Sequence, residues 1–470
     1  MDGGPGGIPE GKAEVGQYAK IFKAYDIRGI VPDELDEEVA EAVGAAFARL
    51  TGASCLVTAH DMRTSSPSLA EAFGRGAAAQ GADVVAAGLG STDLLYYASG
   101  RLDVPGAMIT ASHNPSKYNG IKLCRAGARP VGLDSGLSEL REAAARGVPA
   151  HQGRPGTVTP RDLLPDYAGY LRSLVDVSGI RPLTVAVDAG NGMAGHTVPR
   201  VFEGLPIKLV PLYFELDGTF PHHEANPIEP ANLRDLQRAV IESGADLGLA
   251  FDGDADRCFV VDERAGIVSP SALTALIAVR ELARQPGAAI IHNLITSRAV
   301  PEIISEHGGT PVRTRVGHSF IKARMAETGA VFGGEHSGHF YFRDFWFADS
   351  GMLAALHVLA ALGSQAAPLS QLLDSYRRYV ATGEINSEVS DVGATTREVR
   401  RAFAARPGVT LDDLDGLTVS GGGWWFNLRP SNTEPLLRLN AEAADEATLA
   451  ALRDEVLGIV RGGAGQEAAE

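Results

Sequence analysis

Ser112, His113 and Lys122 set a hydroxyl, an imidazole and an ammonium within eleven residues of the stretch GAMITASHNPSKYNGIKL, residues 106–123. A nucleophile, a proton carrier and a fixed cation in one segment are equipment for group-transfer chemistry. A β-rich run at 107–110 would deliver Ser112 to a strand end, where α/β proteins commonly place reactive groups. Two other readings compete. Ser112 and Asn114 could be turn residues that bond only to backbone. A serine hydrolase, with Ser112 activated by His113, is disfavoured. Neighbours on an extended chain point to opposite sides, and no G-x-S-x-G elbow is present.

The second stretch is Asp252-Gly253-Asp254-Ala255-Asp256-Arg257, between the strand-like runs LGLAF and CFVV. Three carboxylates at alternate positions repel one another unless a cation sits among them. A hard divalent ion with oxygen ligands is the natural solution, and a Mg²⁺ site is the best reading, with a purely solvated acidic turn as the alternative. Asp252, Asp254, Asp256 and Glu263 also match positions of an EF-hand loop. That reading fails because Arg257 stands where the loop needs Gly, and strands rather than helices flank it. A metal site with so few protein ligands leaves room for a phosphate oxygen, and Arg257 would suit the same phosphate.

Three further stretches add polar groups. In GGEHSGH, residues 333–339, Glu335 and Ser337 can exchange hydrogen bonds with hydroxyls, and the glycines allow close approach. Arg429-Pro430-Ser431-Asn432-Thr433-Glu434-Pro435 could form a phosphate nest from side-chain and backbone donors. Early in the chain, FKAYDIRG sets Tyr25 and Arg28 before a glycine. Taken singly, each of the three could equally be an ordinary turn.

The elements that must hold these groups follow a strand-then-helix rhythm. Short β-rich runs fall at 54–58, 107–110, 183–188, 247–251 and 258–261. Ala-, Leu- and Glu-rich stretches with helical spacing fall at 37–50, 66–80, 233–243 and 272–283. Such alternation predicts α/β layers with sheets covered by helices. Linker-like segments at 147–159, 262–269 and 365–369 divide the chain. The expected domains are 1–160, 161–265, 266–370 and 371–470, the last opening on a helix, QLLDSYRRYV, and closing on another at 446–460.

Composition bounds the rest. At 470 residues the chain exceeds one ordinary core, and 45% apolar with 21% charged residues is usual for a soluble globular protein. A net charge of −16 argues against a general nucleic-acid binder, yet leaves room for a small anionic substrate held by a local basic group. Three scattered cysteines make neither a disulfide framework nor a zinc cluster. The longest apolar run, around 353–362, is too short for a membrane span. The first twelve residues read as a flexible arm without a signal core, and 461–470 as a frayed tail. The expected location is the cytoplasm, as a monomer or small homo-oligomer.

Together and in this order, YDIRG, TASHNP, DGDADR, GEHSGH and RPSNTEP resemble the α-D-phosphohexomutase superfamily over nearly the whole chain, and within it the bacterial phosphomannomutase/phosphoglucomutase group. The resemblance implies four domains around a central cleft, three similar α/β units and a C-terminal α+β domain. It implies an enzyme that interconverts hexose 6-phosphate and hexose 1-phosphate through a phosphoserine at Ser112 and a hexose 1,6-bisphosphate, which also serves as activator. Asp252, Asp254 and Asp256 would bind Mg²⁺ together with that phosphoserine.

The same resemblance implies that Glu335 and Ser337 read the sugar O3 and O4, and that Arg429, Ser431, Asn432 and Thr433 hold the non-reacting phosphate. Arg28, His113, Lys122, Arg257 and His339 would lie by the reacting phosphate, with Tyr25 and His318 toward the substrate. A lysine common in this group is replaced at about Ile295, and His318 is expected to compensate. Phosphoglucosamine mutases are similar, but usually have Gln where His336 stands and Gly where Asn432 stands. Mannose and glucose phosphates are therefore the expected substrates. A non-catalytic sugar-phosphate binder on the same fold is the remaining rival, disfavoured because nucleophile, metal loop and phosphate loop are all present.

Overall fold

Four β-sheets follow one another along the chain in a computed structural model that describes residues 15–430 and 436–462. The first has Cys55–His60 at its centre, parallel to both Asp83–Leu89 and Gly106–Ile109. Tyr118–Arg125 then turns back antiparallel beside Gly106–Ile109. This return is what puts Ser112, in the connecting loop, and Lys122, on the strand, at one end of the sheet. Val158–Pro160 adds a parallel edge strand to the same sheet.

The second sheet runs Leu183–Asp188 parallel to both Ile207–Leu212 and Leu247–Phe251. Leu247–Phe251 pairs antiparallel with Cys258–Asp262, so the acidic loop is the turn of a fully buried hairpin. The third sheet centres on Ala289–Asn293, parallel to Thr310–Thr314 and Phe332–Gly334. Phe332–Gly334 then pairs antiparallel with Phe340–Phe342 across the GEHSGH turn. The fourth sheet, from Val380–Glu388 to Leu436–Ala443, is antiparallel throughout and is covered by the helices Val392–Ala404 and Glu446–Gly462. Three α/β units and an α+β unit result.

The first three units share buried surface. One hydrophobic core runs continuously through the second and third sheets and their helices, taking in Leu94 and Tyr97 from the first unit. The apolar run at 353–362 lies in the helix Gly351–Gly363, all of whose residues are buried. A helix apolar on every face has to be surrounded by protein or by lipid; here it is surrounded by protein. No helix is long and apolar enough to cross a membrane among the described residues. At the junction of first and third units, Ser350 Oγ donates to Asp93 Oδ2 at 2.6 Å, and Trp346 packs on Tyr97 and Tyr170.

The strands at 183–188 and 247–251 lie where their apolar runs place them. The expected helix over 371–380 does not form. That segment makes two single turns, Leu369–Leu372 and Asp374–Tyr376, and its last residue opens the strand Val380–Glu388. Tertiary pairing overrides the local spacing: Arg377 meets Asp262 at 3.2 Å, Arg378 meets Glu306 at 2.6 Å, and Tyr379 donates to Glu302 at 2.8 Å. The closing helix extends two residues into the expected tail, and the remainder of that tail and the N-terminal arm lie outside the described residues.

The helices Glu37–Thr51 and Ser66–Ala79 cross so closely that a Cβ on Gly44 would stand 2.1 Å from the Phe73 carbonyl oxygen. Gly44→Ala must therefore push the helices apart. It is expected to destabilise the first unit by about 1–3 kcal/mol, read as a lower midpoint in thermal unfolding.

Candidate active site

Ser112 leaves the strand Gly106–Ile109 in a left-handed conformation, with φ of 51°. For a residue with a Cβ this costs about 1–3 kcal/mol and persists only where surroundings impose it. Its N–H donates to Thr110 Oγ1 at 2.9 Å, and its Oγ donates to Asp252 Oδ2 at 2.7 Å. Arg257 Nη2 in turn donates to Ser112 Oγ at 3.1 Å. Two loops from different sheets thus meet at one hydroxyl. They fit because residue 253 is glycine: a Cβ there would stand 2.4 Å from the Ser112 carbonyl oxygen.

The left-handed turn also changes the expected relation of Ser112 to His113. On an extended strand their side chains would diverge, but here His113 Nδ1 lies 3.3 Å from Ser112 Oγ. The imidazole is a poor base nonetheless. Burial, with the positive charges of Arg257 and Arg28, pushes it down to about 2, and its Nδ1 already takes a hydrogen bond from Arg257 Nη2.

Asp252, Asp254 and Asp256 are almost wholly buried, and one oxygen of each lies within 4.8 Å of the others. Lys122 Nζ bridges Asp254 at 2.6 Å and Asp256 at 2.7 Å, while Arg257 pairs with Asp252 at 2.7 Å. Two cations against three carboxylates leave the cluster one negative charge in excess. Burial, together with repulsion from Asp256 and Asp254 and against the pull of Arg257, pushes Asp252 up to about 7. Burial acts the same way on Asp254, but Lys122 outweighs it and holds that carboxyl well below the usual range.

Asp254 Oδ1 and Asp256 Oδ1 are buried and accept no hydrogen bond among the described residues. Unsatisfied anionic oxygens beside an excess negative charge are what a hard divalent cation relieves, so this donor set fits Mg²⁺. Thr92, at the start of the helix Thr92–Leu102, fixes the loop by donating from Oγ1 to Asp254 Oδ2 at 2.6 Å.

The third sheet closes the site. Arg257 and His339 form an isolated antiparallel bridge, and Cys258 N–H donates to the Gly338 carbonyl at 3.2 Å. His339 Nδ1 lies 2.9 Å from Asp349 Oδ2 and 3.8 Å from Asp256 Oδ1. Burial opposes its protonation, yet Asp256 and Asp349 hold its pKa above the ordinary histidine value. Asp349 is also paired with the buried Lys322 at 2.7 Å. Glu335 is almost wholly buried, accepting from Tyr341 OH at 2.7 Å and from Gly317 N–H at 3.2 Å; Ser337 is half-buried in the same turn.

A cavity of about 360 Å³ is lined by Tyr25, Arg28, Ser112, His113, Lys122, Arg257 and His339 together with Asp256 and Asp349. Arg28 is held by Asp26 at 2.7 Å and by Asn114 Oδ1. Tyr25 also reaches the third unit, its hydroxyl lying 3.0 Å from where a Cβ on Gly317 would stand. His318 is the first residue of the helix His318–Thr328. Arg429 lies on a strand of the fourth sheet near Glu384 and Asp415 and does not line this cavity. Ser431, Asn432 and Thr433 lie outside the described residues. Ile295, near which the resemblance predicts a lysine, is buried with Leu294 against Trp425 of the fourth sheet.

Four residues that organise the site lie outside all the stretches singled out in the sequence: Arg63, Thr92, Lys322 and Asp349. Each is a single polar residue in an otherwise unremarked stretch, and only burial and distance mark them out.

Family models for phosphoglucomutase/phosphomannomutase match the chain in four consecutive parts. These are alpha/beta/alpha domain I at residues 19–146, domain II at 165–266, domain III at 269–379 and the C-terminal domain at 384–459. Phosphohexose mutases of Xanthomonas campestris pv. campestris are 40% identical over 444 residues, covering 94% of this chain and 99% of the relative. An Escherichia coli phosphomannomutase is 38% identical over 451 residues, with coverage of 94% and 99%. Among solved structures, a phosphoglucomutase/phosphomannomutase family protein from Burkholderia thailandensis superposes with a TM-score of 0.86 at 34% identity, covering 96% of this chain and 99% of that one.

The charge balance yields a direct test. Lys122→Met removes the partner of two buried carboxylates and is expected to destabilise the protein by about 3 kcal/mol or more. Thermal unfolding measures the loss, and added Mg²⁺ is expected to restore part of it because the ion replaces the missing cation.

Proposed function

The chain belongs to the phosphoglucomutase/phosphomannomutase family and is a phosphohexomutase, and from that premise we propose that Ser112 carries the phosphoryl group it transfers. The observation behind this is the placement of Ser112 Oγ, 2.7 Å from a buried carboxylate, in a cavity also lined by Arg28, Lys122, Arg257 and His339. Phosphate monoesters are so inert that enzymes accelerate their hydrolysis by up to ~10²¹-fold. Most of such a gain has to come from positioning and from charge already in place.

In the forward half-reaction the Ser112 Oγ–P bond breaks and a bond forms between phosphorus and the free O1 or O6 of a hexose monophosphate. Oγ returns to its serine form, and the hydroxyl proton of the sugar leaves to a base. The product is a hexose 1,6-bisphosphate, which turns over in the cleft. In the second half-reaction the other sugar O–P bond breaks as phosphorus bonds to Ser112 Oγ, the Oγ proton leaves to a base, and the freed sugar oxygen takes up a proton. Asp252, Asp254 and Asp256 would hold Mg²⁺, which when bound polarises phosphoryl oxygens and offsets developing negative charge.

Arg28, Lys122 and Arg257 supply fixed positive charge around the moving phosphoryl group. His339, kept toward its protonated form by Asp256 and Asp349, is suited to giving a proton to the oxygen from which the phosphoryl group departs. His113 is better suited to orienting Arg257 and Ser112 than to accepting a proton. Glu335 and Ser337 read sugar O3 and O4, with Tyr25 and His318 beside them; Arg429, Ser431, Asn432 and Thr433 hold the phosphate that is not reacting. A site reading O3 and O4 discriminates weakly at C2, so mannose and glucose phosphates are both substrates. Trace hexose 1,6-bisphosphate primes any enzyme lacking the phosphoryl group. The protein acts on these small molecules in the cytoplasm, as a monomer or small homo-oligomer.

Ser112→Ala is expected to abolish most conversion of mannose 1-phosphate to mannose 6-phosphate while leaving substrate binding nearly intact; normal turnover in this variant would refute the role of Ser112. Side-by-side rates on mannose and glucose 1-phosphates are expected to lie within about tenfold of each other, as a site that ignores C2 requires. A faster rate on glucosamine phosphate than on either would instead assign the chain to the phosphoglucosamine mutases.

A further inference from the structure

Arg63 is a large side chain with almost no exposure, yet it does not line the cavity. Its guanidinium has five N–H donors in a rigid plane; four go to backbone carbonyls, and Nε, which makes no hydrogen bond, stands opposite a carboxylate. Nη1 donates to the carbonyls of Pro115 at 2.9 Å and Tyr118 at 3.0 Å. Nη2 donates to the carbonyls of Ser112 at 2.9 Å and Asn114 at 2.6 Å. Nε faces Asp61 Oδ2 at 3.3 Å. Asp61, itself buried, accepts from the Arg63 N–H at 3.0 Å and from Ser66 Oγ at 2.5 Å, which fixes the base of the arginine.

One face of the guanidinium is covered from the second unit. The ring of Phe220 lies with its centroid 5.0 Å from Arg63 Cζ, and a Cβ on Gly218 would stand 2.5 Å from Arg63 Cα. The arginine therefore ties four carbonyls of the Ser112 loop to one rigid group that is sandwiched between two units. Ser112 needs such a tie. Its left-handed backbone is disfavoured for a residue with a side chain, and without an outside constraint the loop would relax to other conformations.

We propose that Arg63 is the positioning residue of phosphoryl transfer: by gripping the carbonyls of Ser112, Asn114, Pro115 and Tyr118 it imposes the left-handed turn that aims Ser112 Oγ at Asp252. The proposal rests on the reading of Ser112 as phosphoryl carrier. It assigns Arg63 no contact with substrate. Its effect falls on the rate of transfer, where a displacement of about 1 Å can cost about 100-fold, and leaves the sugar and phosphate subsites as they are. Lysine cannot replace it, because a single ammonium with three donors does not span four carbonyls.

The test compares wild type with Arg63→Ala, Arg63→Lys and Ser112→Ala, each shown to be folded by circular dichroism, with kcat and KM measured on mannose 1-phosphate. Arg63→Ala is expected to lower kcat about 100-fold with KM changed less than about twofold. Added guanidinium is expected to restore part of that kcat, since it can occupy the vacated plane. If Arg63→Ala does not fold, Arg63→Lys carries the test, because it keeps a cation opposite Asp61; its kcat is expected to fall with KM unchanged. Wild-type kcat in Arg63→Lys, or a folded Arg63→Ala whose kcat is normal or whose loss guanidinium does not touch, overturns the proposal. Ser112→Ala separates the two readings: if it turns over normally, the phosphoserine assignment fails; if it is inactive while both Arg63 variants are normal, only the Arg63 assignment fails.

Discussion

Three carboxylates on one hairpin turn, buried to the point of vanishing exposure, are the constraint around which the molecule is arranged. Ionised carboxylates taken out of water repel each other and lose solvation, and they persist only with cations and donors at hand. Lys122, Arg257 and Thr92 come from three different elements and satisfy most of that need. The excess charge and the two unsatisfied oxygens form the part left over for a metal. The Ser112 hydroxyl donates to the same trio, so the proposed chemistry and the electrostatic problem share one location.

The sheet topology follows from having to bring these groups together. Each of the first three units turns an antiparallel strand back against a parallel core, and each uses that turn to present a loop. The first presents Ser112, the second the acidic trio, and the third the turn from Glu335 to His339. The bridge between Arg257 and His339 joins the second loop to the third. Asp349 and Lys322 continue the chain of charge inward, with Lys322 Nζ 4.1 Å from the ring centroid of Tyr96 in the first unit. Glu335, through Tyr341 and Lys322, and Ser112, through Asp252 and Arg257, are thus parts of one connected polar framework.

Much of this was legible in the sequence, for physical reasons that differ by element. The strands Leu183–Asp188 and Leu247–Phe251 are apolar runs bounded by acidic and glycine-rich turns, so their ends are marked locally. The acidic loop is legible because like charges at alternate positions demand a cation whatever the fold. Segment 371–380 misleads because its side chains are spent on partners far along the chain, such as Asp262 and Glu306, which no local pattern reveals. Arg63 is hidden for a related reason. Its partners are backbone carbonyls, which have no sequence signature, and its opposite charge, Asp61, sits beside it as an unremarkable pair. His113 shows the limit of reasoning from strand geometry, since the turn at Ser112 brings together side chains that an extended chain would part.

The central claim is that the Ser112 hydroxyl carries the phosphoryl group between sugar positions. The most direct measurement is the mass of the proteolytic peptide that contains Ser112, taken before and after brief incubation with glucose 1,6-bisphosphate and again after exposure to excess unlabelled hexose monophosphate. The account predicts one added phosphoryl group on Ser112 that appears with the bisphosphate and leaves to the monophosphate at a rate at least equal to turnover. An unmodified Ser112 peptide in enzyme that is turning over, or a phosphoryl group there that the sugar never removes, would contradict it.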